Sequence, residues 1–462
     1  LSWQTMDEQF FGAQPGIPPY EQLPGDERPD LSEKIGATFG WVLGQQQLSD
    51  LSELTADRAL TKSLRDHRPE LGEQSLQQLW DRFLEMVPLH RRMFGQHLFT
   101  TYMATVPVGV ISGVATAVGR PDLIMPIIAG IGEVDSAEPS YAMWTLSRLA
   151  PESSEFAAGF AAFLYEFGSR GPNEWESRSA SWETRPALAL AAIDRMRVSP
   201  ESANPRGHQA ERAAEREAAS AELLAMVEGD PATHGQLAAA IGCSKAWLPG
   251  RERTKTNNIR VIHEMRMAMR EIGRRMVELG VFDEIEDFGF VTKDEMPAFL
   301  ADPRPMATTV RERRAEYMRL EQLEPPFVFV GHSAGPDTWP RRDAVAADRL
   351  GVGDVLAGMS GCSGVAEGIA RVVLDSNDPF ALEPGDILIA PITDPSWTPL
   401  FVPAAGVVVD VGAPMSHAII VSRELGIPCV ISATGGTRRI PNGARVRVDG
   451  STGVVTVLEL PA

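Results

Sequence analysis

The stretch AGVVVDVGAPMSHAIIVSREL, residues 405–425, decides how this 462-residue chain is read. Ala405 to Val411 is a run of small and β-branched residues that suits a strand buried on both faces. Gly412 to Met415 supplies a turn, and Ser416 to Leu425 has the composition of a short helix. Ser416 is a natural N-cap, which places His417 in the first helical turn, where unpaired N–H groups and the positive end of the helix dipole point outward. Such an end disfavours the imidazolium, keeps a ring nitrogen available to attack phosphorus, and offers amide donors to phosphoryl oxygens. By position alone, an ordinary satisfied histidine remains the other reading.

Outward from this turn the pattern is consistent. Short β-type runs such as GDILIAPI, PCVISAT, ARVRVDG and GVVTVLEL follow Leu356, separated by glycine and proline. Before Pro325 the apolar period is that of helices: Leu76, Leu79, Phe83 and Met86 recur at three and four, 205–229 is rich in Ala, Glu and Arg, and a methionine-rich helix is expected from Asn257 to Leu279. The expected architecture is therefore a mostly α-helical domain over 1–325 with an extended N-terminal arm, a linker over 326–354, and a compact α/β domain over 355–462. The apolar run Tyr102 to Gly119 is interrupted by Pro107, Gly109 and Gly113 and reads as a buried helical hairpin rather than a membrane span.

Composition excludes several classes. With 43 Lys+Arg against 62 Asp+Glu the formal charge is −19, and no basic stripe is present to hold nucleic acid. Cys243, Cys362 and Cys429 form no C-x-x-C pair, no histidine pair has metal-ligand spacing, and the first residues lack a basic region followed by an apolar one. These features suit a reducing cytoplasm and predict no bound metal.

Gly412 to Pro428, GAPMSHAIIVSRELGIP, together with the later GTRRIPNGARVRVDGSTGVVTVL, resembles the phosphohistidine swivelling domain of PEP-utilising enzymes. The resemblance spans about 355 to 460 and implies that His417 is a covalent phosphoryl carrier. Phosphoenolpyruvate synthase and pyruvate phosphate dikinase carry a PEP-binding barrel after this domain, for which no residues remain here. The layout is similar instead to rifampin phosphotransferases, in which a nucleotide-binding ATP-grasp domain and a helical substrate domain come first. Phe167 to Glu174, FGSRGPNE, is similar to that family's G-H-R-G-P-x-E element, with Ser169 where histidine is usual.

No ATP-grasp or P-loop pattern occurs in the chain, so the resemblance implies that ATP and Mg²⁺ bind on a partner chain or on a separate part of a longer polypeptide. It also implies a closest likeness to split synthases that phosphorylate phenol or p-cresol. The implied phosphoryl- and substrate-binding residues are Arg170, Glu174, Arg251, Lys255, Ser416 and Arg423, with Glu174 as proton acceptor. Phe163, Trp175, Trp182, Met265 and Met269 are the expected apolar wall of an acceptor pocket. Two alternatives are a fragment of a rifamycin-type antibiotic phosphotransferase and a protein-to-protein phosphocarrier.

Overall fold

A computed structural model describes residues 32–461, apart from 133, 202–203, 327–328, 330–333, 343–347, 375, 377–380, 395–396 and 414–415. The helical unit contains α1 (Ser32–Gly44), α2 (Ser52–Asp66), α3 (Leu76–Ala117), α4 (Glu138–Ser147), α5 (Ser154–Phe167), α6 (Ala187–Arg197), α7 (Pro205–Met226), α8 (Pro231–Glu278) and α9 (Ala307–Glu321). Most of the expected N-terminal arm lies outside the described residues. Where it is described, 32–44 is helical rather than extended, because Trp41 packs on Phe99 and Trp247, and Val42 is fully buried.

Two helices form the spine. Helix α3 starts at a reciprocal cap, in which the Ser75 hydroxyl accepts from the Gln78 amide and the Gln78 side chain accepts from the Ser75 amide. It runs 42 residues through Pro88 and Pro107. The expected hairpin at 102–119 is thus one continuous helix. By length and apolar composition α3 could cross a membrane, but here it lies along α8. The two are antiparallel: His90 meets Asn258, and His97 meets Thr254.

Helix α8 is 48 residues long, beginning at an Asp230 cap and passing through Pro249 instead of starting near 257. A proline in a helix costs about 3 kcal/mol in isolation. Here the surrounding packing offsets it, and Gly250 lets Leu51 and Leu54 press against the helix, where an added Cβ would come within 3.1 Å of Leu51. Arg251 and Lys255 consequently sit one turn apart in mid-helix.

The C-terminal unit holds β1 (Val355–Ala357), β2 (Met359–Cys362), β3 (Val365–Val372), β4 (Ile387–Ala390), β5 (Gly406–Val409), α10 (His417–Leu425), β6 (Cys429–Ile431), β7 (Arg445–Asp449) and β8 (Val454–Glu459). The sheet order is β1-β8-β7-β3-β4-β5-β6-β2, with β3 to β6 parallel and the remaining pairs antiparallel. Strands β4 and β5 are buried on both faces, which explains their unbroken apolar sequences. Ile387, Ile389 and Val408 face one core, closed by β7 and β8. Leu388, Ala390, Val407 and Val409 face another.

That second core continues across the boundary between the units. Trp397, Leu400, Phe401, Ala418 and Ile419 share it with Met143, Trp144, Phe163, Trp182, Ile193 and Met196 of the helical unit. Helix α10 is therefore docked on the helical unit in this structure. Cys362 and Cys429, far apart in sequence, face each other across β2 and β6 as buried free thiols.

Candidate active site

The turn from β5 into α10 presents His417. Gly412 is required there because a Cβ would approach the Ile431 side chain to 2.8 Å. The helix ends at Gly426, whose φ of 69° permits the left-handed closing turn. His417 is 8% exposed and occupies the first helical position. Thr393 Oγ1 lies 3.1 Å from its Nδ1 and Thr398 Oγ1 3.2 Å from its Nε2, while the Phe401 ring meets it edge-on at 5.8 Å. Both threonines are buried and hold the imidazole. Ser416 caps by backbone position only, and its buried hydroxyl has no hydrogen-bond partner among the described residues.

Opposite the ring stands the middle of α8 and the 168–175 loop. Arg170 donates from Nε to Glu174 Oε2 at 2.7 Å and from Nη1 to Thr256 at 2.8 Å; Lys255 Nζ is 3.3 Å from Glu174 Oε1. Glu174 has no exposed surface and both its oxygens face cations. This is the arrangement of an anchor that orients Arg170 and Lys255, with no oxygen turned toward an incoming hydroxyl. Arg251 pairs with Glu252, whose other oxygen accepts from Ser136. Burial alone would raise the Glu252 carboxyl, but Arg251, Lys255 and the Ser136 hydroxyl bring it down to about 2. The Asn173 amide, in a left-handed conformation at φ 49°, donates to Asp394 beside Thr393 and joins the two units directly.

The His417 pKa lies well below the ordinary imidazole value, first through burial and then through the Lys255 charge, with Arg170 and Arg251 adding to it and Glu252 opposing. A neutral ring facing two to three cations can accept a phosphoryl group, and the same cations can neutralise that group as it leaves.

Trp175 stands near this cluster, its ring 5.8 Å from that of His97 and 5.9 Å from Phe94. Arg423 lies further along α10, its Nη2 3.3 Å from the Met125 sulfur. With Ile420, it lines a cleft of about 460 Å³, counting its open mouth, against Val108, Ile131, Leu248, Arg251 and Glu252. The other expected pocket residues are elsewhere. Phe163 and Trp182 pack on each other, centroids 5.4 Å apart, inside the shared core. Met269 is core beside Leu79 and Trp80, and Met265 packs with Met86, Met93 and Val261. Among the described residues, no cluster of His, Cys, Asp and Glu is arranged to hold a metal ion.

Sequence reasoning missed Thr393, Thr398, Glu252, Thr256 and His97. Each gains its meaning from a partner distant in sequence, and only Glu252, adjacent to Arg251, carried a local signal.

Docking should depend on pH. Undocked, the His417 ring regains its ordinary affinity for a proton; docked, it resists protonation. Stability of the docked state is therefore full above about pH 6.5 and lost as pH falls below it. His97 and His263, both lowered to about 4 chiefly by burial, withdraw helical-unit stability in the window from about 6.5 to about 4. Protection of the Trp397–Phe401 amides against hydrogen exchange, relative to the intrinsic rate at each pH, should fall between pH 7 and 5 in the native chain, and markedly less in His417→Gln. Equal loss of protection in both would remove His417 as the cause.

Residues 382–453 match the PEP-utilising enzyme mobile domain, and residues 149–252 match the rifampicin phosphotransferase fourth domain. The C-terminal unit is thus a mobile domain of the PEP-utilising type. More narrowly, it is joined here to a helical unit of which residues 149–252 are of the rifampicin phosphotransferase type. A protein of Mycobacterium tuberculosis H37Rv is 34% identical over 354 residues, 76% of this chain and 36% of its own length. The rifampicin phosphotransferase of Streptomyces sviceus is 31% identical over 67% of this chain and 35% of its own. The prodigiosin synthesizing transferase PigC of Serratia marcescens is 30% identical over 76% and 38%. The chain spans little more than a third of the length of these relatives.

Proposed function

We propose that this chain is the acceptor-binding and phosphohistidine-carrying portion of an ATP-dependent phosphotransferase. A nucleotide-binding part, on a partner chain or elsewhere in a longer polypeptide, transfers the β-phosphoryl of ATP to His417, with AMP and phosphate as the other products. The mobile unit then docks on the helical unit, where an acceptor hydroxyl attacks phosphorus and the N–P bond breaks. The observation that carries this reading is a buried, neutral imidazole at a helix N-terminus, faced by Lys255, Arg170 and Arg251 from another domain.

The acceptor is an apolar hydroxyl compound. The names of the relatives favour a rifamycin-type antibiotic over phenol or p-cresol. Protein-to-protein phosphocarriage is disfavoured, because the surface on which His417 docks belongs to a helical unit covering most of the chain.

Combining the chain with its nucleotide-binding part, ATP and Mg²⁺, and following AMP and phosphorylated product by phosphorus NMR, tests the reading. Product from rifampicin and not from p-cresol is expected. Product from p-cresol alone restores the aryl-phosphate assignment, and a phosphorylated His417 with neither product excludes both acceptors.

A further inference from the structure

Attack by a hydroxyl on a phosphohistidine needs a group to take the hydroxyl proton, and both carboxylates at the site are committed elsewhere. Glu174 is clamped by Arg170 and Lys255, and Glu252 by Arg251 and Ser136. One titratable ring beside the same charges is not committed. His97, on α3, is 9% exposed and reaches across to α8, where its Nδ1 lies 3.1 Å from Thr254 Oγ1. The Thr254 hydroxyl gives its own proton to the Arg251 carbonyl at 2.9 Å, so at this contact it accepts from His97. With the Arg251 backbone also hydrogen-bonded to the ring, this favours the tautomer with the proton on Nδ1 and leaves the lone pair on Nε2.

The position relative to His417 follows from two runs of contacts. In one, His417 touches Thr393, the adjoining Asp394 accepts from the Asn173 amide, and two residues on, the Trp175 ring lies on His97. In the other, Thr254 precedes Lys255, which reaches Glu174. Arg251, Glu252 and Lys255 are each close enough to act electrostatically on both imidazoles.

We propose that His97 is the general base that takes the acceptor's hydroxyl proton as its oxygen attacks the phosphoryl group on His417, an inference that rests on the phosphotransfer reading above. In the step, the acceptor O–H proton moves to His97 Nε2 and the oxygen forms a bond to phosphorus. The N–P bond breaks and its electron pair returns to the His417 ring, kept neutral by the proton on its other nitrogen. The products are a phosphate monoester, a neutral His417 and a His97 imidazolium, which loses its proton to solvent when the units separate. In the empty site burial and the Arg251 charge hold the ring neutral. The phosphoryl dianion arriving on His417 opposes those cations and raises the basicity of His97 when a base is needed. Trp175 and Phe94 beside the ring form an aromatic wall for an apolar acceptor.

The full chain is phosphorylated on His417 with phosphoramidate, so that no nucleotide part is required, and transfer is followed to rifampicin, to p-cresol and to a nitrophenol already ionised at neutral pH. His97→Gln and His97→Asn should take the label as the native chain does. They should transfer it about 100-fold or more slowly to the un-ionised acceptors while leaving the nitrophenol rate nearly unchanged. Native rates to un-ionised acceptors should also fall with acid through an ionisation that His97→Gln lacks. Equal rates in native and variant chains, or equal losses with all acceptors, overturn the assignment of His97 alone. A native chain that takes the label and passes it to no hydroxyl overturns the phosphotransfer reading, and this inference with it.

Discussion

His417→Ala should bring phosphoryl transfer to zero rather than merely slow it. If the reaction runs through a covalent N–P bond, no neighbouring side chain replaces the lost nitrogen. Thr393 and Thr398 flank the ring, but their hydroxyls are alcohols held within hydrogen-bond distance of the imidazole, with no base to activate them once it is gone. After phosphoramidate treatment the native chain should show an acid-labile phosphorus signal that His417→Ala lacks. With the nucleotide part and ATP present, AMP release above background should vanish as well. The fold should survive, because the ring contributes two neutral hydrogen bonds, worth about 1 kcal/mol each, and one aromatic contact. A label that persists in the variant would move the carrier to another histidine and remove the basis of the functional reading.

Glu174→Ala should cost about 3–5 kcal/mol of helical-unit stability, the range seen when one partner of a buried ion pair is deleted. The glutamate is fully enclosed and stands between Arg170, itself 2% exposed, and Lys255; without it two cations share a dry site. Urea unfolding measures the loss. Replacing the pair together, Glu174→Leu with Arg170→Met, should recover a large part of it, since hydrophobic substitutes of similar size avoid the desolvation that the charges incur. If Glu174 were instead the proton acceptor for the hydroxyl, the single variant would stay stable and lose transfer only to un-ionised acceptors. That pattern is assigned here to His97, so the two variants side by side separate an anchor from a base.

The pair also shows why one glutamate was hard to read. In FGSRGPNE, the resemblance places Arg170 and Glu174 at a substrate site, and nothing local says that they satisfy each other. Their pairing depends on Lys255 arriving from α8, more than eighty residues later, and on the loop closing beneath it. Phe163, Trp182, Met265 and Met269 present the same difficulty in reverse. Apolar side chains near a motif can line a pocket or fill a core, and here the packing of α5 and α8 against their neighbours places them in cores. The second half of helix α8, from Asn257, was legible as a methionine-rich helix, but its first half and its passage through Pro249 were not, because a proline's local cost is visible in sequence while the contacts that offset it are not.

By itself the sequence determined what short-range physics controls. A β-branched run makes a buried strand, a glycine allows the close turn at 412, a serine starts α10, Gly426 ends it, and His417 falls where the backbone amides are unpaired. Only the tertiary structure decided what that histidine faces. Thr393 and Thr398 arrive from the loop after β4, Arg170 and Glu174 from the loop after α5, Arg251 to Lys255 from mid-α8, and His97 from α3. These groups act on one another through hydrogen bonds and charges that operate over a few ångströms of space, and along the chain they are as many as 320 residues apart.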